Sequence, residues 1–129
     1  MARSDLSGLN ARIEIIERGY EYLLAYAAQG RQDDQGSEAR ARLTDMFAAL
    51  DDLADVVVAT VNGGPGGQVT EAAAFLDAVK QDAAKARGAI GLVLSRPSIS
   101  SMLVDNLNAS IHLRALLTDC FLIEQALRG

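Results

Sequence analysis

The sequence predicts an all-α fold, an antiparallel up-down four-helix bundle, and three observations carry that reading. Apolar residues recur at spacings of three and four along four separate segments. No segment sustains the strict alternation of a half-buried strand. The connections are short and rich in Gly, Pro and Ser, as antiparallel neighbouring helices require. At 129 residues the chain reads as one helical domain over 1–129.

The first helix is expected over 6–28. Leu9, Ile13, Ile16, Tyr20 and Leu23 fall on one face, and Glu14, Glu17, Arg18 and Glu21 on the other. The polar stretch 30–36 is a loop, and Ser37 is placed to cap the second helix. That helix is expected over 38–61, with Leu43, Met46, Leu50, Leu53, Val57 and Val61 inward. Val56, Val57 and Val58 favour strand locally, but the helical period runs through them. The run Asn62-Gly-Gly-Pro-Gly-Gly-Gln68 stops the helix, because Gly ends helices and Pro cannot continue one. The third helix is expected over 70–94, capped by Thr70, with Leu76, Val79, Ala83, Ala86, Ile90 and Val93 inward.

The fourth helix, expected over 98–127, differs from the others. Only Asp105, Arg114, Asp119 and Glu124 are charged between Pro97 and Leu127. Apolar residues wrap most of the way round it, and a helix apolar on nearly all sides is buried. One bundle leaves such a helix with too much apolar surface, so the surplus is expected to meet another chain and to make the protein a homodimer. Leu103, Leu107, Arg114, Leu117 and Phe121 form the expected partner seam. Tyr22 and Tyr26, at the edge of the first helix's stripe, are a second candidate contact, since tyrosine combines apolar area with a polar tip.

Charge and motif content narrow the function. Twelve Lys and Arg against 17 Asp and Glu give a net charge of −5 and a pI near 4.7. That balance argues against nucleic acid as a partner, which is held by clustered cations. No apolar run approaches the ~18 residues of a membrane span. No secretory leader is expected from the N-terminal residues, and a lone Cys120 suits the expected reducing cytoplasm. No cofactor or metal is expected: the Gly-rich stretch 62–68 lacks the Gly-Lys-Ser/Thr of a phosphate loop, and no Glu-x-x-His occurs. Cys120 lies on the apolar stripe and reads as a small buried hydrophobe. His112, the single histidine, shares a polar strip with Asp105, Asn108 and Asp119, which makes it a possible phospho-acceptor. No nucleophile, base and orienting group assemble into a catalytic set.

The chain therefore reads as a non-catalytic interaction protein: an adaptor, an export-chaperone-like protein or a small regulatory subunit. The alternatives are a phosphorelay-type regulator using His112 and a small ligand-binding or enzyme subunit. A helix carrying Ile-Glu-Arg-Gly-Tyr-Glu-Tyr-Leu over 16–23 is succeeded by a polar loop, a second helix, a Gly-Gly connector before Gln68-Val69 and then more helices. Within the first class, this order of features resembles flagellin-type export chaperones. The resemblance covers about half of the chain and lacks that family's aromatic-rich N-terminal segment. It implies a helical bundle that wraps a partner's disordered tail.

Overall fold

The computed structural model describes residues 2–64 and 69–128, so part of the Gly-rich connector at 62–68 lies outside the described residues. The described residues are all-helical, with no strand, and form six helices: α1 (Ala2–Ala27), α2 (Ala39–Asp51), α3 (Leu53–Asn62), α4 (Ala72–Leu94), α5 (Ser101–Ala109) and α6 (His112–Arg128). Both α1 and α4 pack against α2, α3, α5 and α6. The core lies between them, built from side chains such as Ile16, Leu23, Leu43, Leu53, Ile90 and Leu116.

Where the sequence predicts one helix over 38–61, the structure has two. The break is Asp52, which leaves helical geometry at φ −117°, ψ 10°. Aspartate is a poor interior helix residue because its short side chain finds other partners. Here its carboxylate accepts from Arg12 of α1, Nε at 2.8 Å and Nη2 at 2.9 Å. The buried face nonetheless runs straight through: Met46 and Leu50 give way to Leu53, Val57 and Val61 at helical spacing. The Val56 N–H still donates to the Asp52 carbonyl at 3.0 Å. This is a kink in one face.

The expected helix over 98–127 is also two, and here the change is deeper. The joint is Ser110 and Ile111, with Ile111 in the left-handed region at φ 64°. The buried residues of α5 are Ser101, Val104 and Leu107, whereas those of α6 are Leu113, Leu116, Leu117, Cys120 and Ile123. At about 100° per residue, Val104 and Cys120 would stand about 160° apart on an unbroken helix. Two faces nearly half a turn apart cannot both reach one core from a straight rod. The joint resets the phase so that both do.

The ends of the helices differ in how they are satisfied. The Ser100 hydroxyl accepts the Leu103 N–H at 3.1 Å and starts α5, and the Ser37 hydroxyl accepts the Ala39 N–H at 3.3 Å at the start of α2. The cap expected at Thr70 is not made; α4 begins at Ala72 with no side-chain cap. Arg40 closes the other end of α4, donating to the carbonyls of Leu94 at 3.1 Å and Arg96 at 2.8 Å. α1 and α2 cross closely at Gly19, where an added Cβ would stand 2.4 Å from the Met46 sulfur.

Candidate functional site

The residues expected to form a partner seam separate into two groups. Leu107 and Leu117 are buried, and Leu103 is packed against the core. They are interior packing residues, because the joint at 110–111 turns both halves of the expected fourth helix inward. Phe121, 37% exposed, and the exposed Arg114 remain on the outside. Ile111 at 55% and Leu122 at 59% are exposed as well, as is Met102 of α5 at 76%. On α6 the positions 114, 118, 121, 122 and 125 share one outer face by helical spacing, and Ile111 stands at the joint just before the helix. Periodicity alone assigns Ile111 and Leu122 to the surplus of the fourth helix but not to the seam. The missing signal is the phase reset, which no local residue type announces.

Tyr26 is corrected from a surface contact to a core residue. It is fully buried, and its hydroxyl donates to the Ile99 carbonyl at 2.6 Å. Burial raises its phenol above the ordinary value, opposed by the nearby Arg31. Tyr22 is half-buried, stacked on Tyr26 at 6.2 Å between ring centres, with the Arg42 guanidinium 5.4 Å from its own ring centre. Its hydroxyl accepts the Glu38 N–H at 2.9 Å. These tyrosines fasten the loop over 28–38 to the bundle.

The same corner anchors α5. The Ser101 hydroxyl donates to the Tyr26 carbonyl at 2.7 Å and accepts from the Arg31 N–H at 2.9 Å. The Ser101 N–H returns to the Arg31 carbonyl at 3.0 Å. Asp34 accepts the Ile99 N–H at 2.9 Å and the Arg40 Nε at 3.1 Å. Those bonds, the first above all, hold its carboxyl below the ordinary range. Such a connected polar set fixes one geometry, because each buried group left unpaired carries a penalty.

His112 is the first residue of α6, half-buried, and its N–H donates to the Ser110 carbonyl at 2.8 Å. The polar strip expected on either side of it is divided by the joint: Asp105 and Asn108 belong to α5 and Asp119 to α6. Cys120 is buried, and burial, with the charges of Asp119 and Glu124, pushes its thiol up to about 12. Burial and the raised pKa both disfavour the thiolate that a nucleophilic role would need. Beside it, partial burial raises the Asp119 carboxyl to about 6, helped by a hydrogen bond and repulsion from Asp82 of α4. No group of three or more metal-ligating side chains occurs among the described residues. No described helix is long and apolar enough to cross a membrane.

A concavity of about 510 Å³, open to solvent and lined by Phe47 and Arg87 among others, lies between α2 and α4. The Arg87 guanidinium lies 3.8 Å from the Phe47 ring centre and pairs with Asp51 at 3.5 Å. That guanidinium is thus already engaged by the ring and the carboxylate at the wall of the concavity.

Comparison with known proteins found no match of the chain to a family, to a characterised protein or to a solved structure.

Proposed function

We propose that the chain is a non-catalytic interaction protein that binds a protein partner through the outer face of α5 and α6. One observation carries this reading: Met102, Ile111, Phe121 and Leu122 remain exposed after the interior has taken every other large apolar side chain of α5 and α6 into contact. Exposed large apolar side chains, with Phe121 and Leu122 on the same face of α6 as Arg114 by helical spacing, are the composition of a protein-binding patch. We read the six helices as four columns of an up-down bundle: α1, the kinked α2–α3, α4 and the jointed α5–α6. The contacts of α1 and α4 with both broken columns support that reading. The adaptor, chaperone-like and regulatory-subunit forms of the proposal share this surface.

The test is affinity capture from a native extract, read by mass spectrometry, with Phe121→Glu and Leu122→Glu as separate variants. A partner held by the natural chain and lost by both variants, at unchanged helical circular dichroism, is the expected outcome. The same proteins captured by all three chains would overturn the proposal. Leu107→Glu is no probe of this surface, because Leu107 is buried and its replacement would unfold the chain.

A further inference from the structure

The joint between α5 and α6 is only Ser110 and Ile111, and residues 101–128 contain neither glycine nor proline. The chain turns there without either of the residues that ordinarily end a helix. Ile111 takes φ 64°, where Cβ crowds the backbone and β-branching makes the crowding worse. The stop itself is local: the Ser110 N–H and hydroxyl both donate to the Leu107 carbonyl, at 3.1 and 2.6 Å. A helix continued through the joint would relieve Ile111 and remake the missing backbone bonds.

Such a continuous helix would point the core side of α6 about 160° away from that of α5. Within one chain this strands the face of Leu113, Leu116, Leu117, Cys120 and Ile123 in water. Between two chains the same opposition is productive. α5 stays on its own α1, fastened by Ser101 and by Asn108, whose Nδ2 donates to the Leu23 carbonyl at 3.2 Å. α6 then projects toward a second copy and can occupy the place beside α1 and α4 that the second copy's own α6 has left.

We propose that this protein dimerises by exchanging α6, with Ser110–Ile111 as a hinge that is bent in the monomer and helical in the exchanged dimer. The partner is a second copy of this chain, and every contact of α6 is remade in it. Concentration and the hinge conformation therefore set the balance between the two forms. The proposal does not rest on the outer face of α6, which either form leaves available.

The test compares the natural chain with Ile111→Gly by size exclusion with light scattering over a concentration series. Glycine accepts the left-handed conformation freely and is a poor helix-interior residue, so it favours the bent form on both counts. The dimer dissociation constant is expected to rise roughly tenfold per hinge, about 100-fold for two. Helix ownership is read with Asp82→Cys/Asp119→Cys and a short bis-maleimide, since these side chains meet across α4 and α6. The buried Cys120 thiol does not compete. The dimer fraction should give chains linked in pairs, and the monomer fraction links within one chain. Three results each overturn the proposal: a natural chain monomeric at every concentration, a dimer unaffected by Ile111→Gly, or a dimer fraction linked only within single chains. Should the double-cysteine chain fail to fold, the dissociation constants of the natural chain and Ile111→Gly decide alone.

Discussion

Two glycines in helix interiors have opposite surroundings, and alanine at each should move stability in opposite directions. At Gly19 an added Cβ would stand 2.4 Å from the Met46 Sδ and 2.6 Å from its Cγ. Ordinary contacts between such atoms begin near ~3.5 Å, so the two must part by about 1 Å. Met46 is fully buried, and its Cγ is tied closely to the backbone of α2, so the strain reaches the crossing of α1 and α2. Overpacking of this kind costs about 1–3 kcal/mol, against a helix-propensity gain of about 0.5–1 kcal/mol for Gly→Ala. Gly19→Ala should therefore destabilise, by up to about 2.5 kcal/mol. At Gly88 the added Cβ meets nothing within 4 Å, and the same substitution keeps the whole propensity gain of about 0.5–1 kcal/mol. Urea unfolding followed by circular dichroism separates the two, provided the m-value is unchanged. If both variants were stabilised alike, α1 and α2 would not cross at Gly19, and the packing described for the core would be wrong.

Three more expectations come from the buried polar groups. Asp119 has its folded-state pKa raised to about 6 from 3.8, so between those values the folded chain binds more protons than the unfolded one. Stability at this site is therefore present below the unfolded value of 3.8 and lost as pH rises through about 6. Asp119→Asn should flatten that part of the stability–pH curve, and an unchanged slope would refute the assignment. The Cys120 thiol, held at about 12, should resist an alkylating reagent in the folded chain and react on adding denaturant; rapid labelling without denaturant would contradict its burial. Tyr26→Phe removes the donor to the Ile99 carbonyl and should cost about 1–3 kcal/mol in urea unfolding, where a contact-surface tyrosine would show almost no change.

How much of the fold is legible in the sequence depends on whether a break preserves the phase of the buried face. At Asp52 it does. The stripe from Leu43 to Val61 reads as one helix, and although the backbone kinks, each of those residues is where periodicity puts it. At the kink the Asp52 carboxylate meets Arg12, forty positions away, a partner that no local pattern could supply. At Ser110–Ile111 the phase is not preserved, and the same reading fails for a definite reason. Two inward faces about 160° apart, laid on one helical wheel, look like a rod that is apolar all round. That appearance makes Leu107 and Leu117 into surface residues and Ile111 into one more turn of helix. Tyr26 is misplaced by periodicity for a related reason: at the last turn of α1, burial is decided by the loop that folds over it, and Ile99 and Asp33 come from segments outside that helix.

A helix that looks apolar on every side thus has two physical explanations, a second chain or a hidden change of phase. In this protein the second accounts for the buried residues, and it leaves a smaller remainder for the first. That remainder is Ile111 at the joint, Phe121 and Leu122 on α6 and Met102 on α5. The distinction changes which substitutions can report on binding. A charge at Leu107 or Leu117 would abolish association simply by unfolding the chain, and would mimic success. A charge at Leu122 removes apolar area that is mostly exposed in the isolated fold, and one at Phe121, 37% exposed, removes area that is partly so, so a loss of capture at constant helicity would report on the proposed surface.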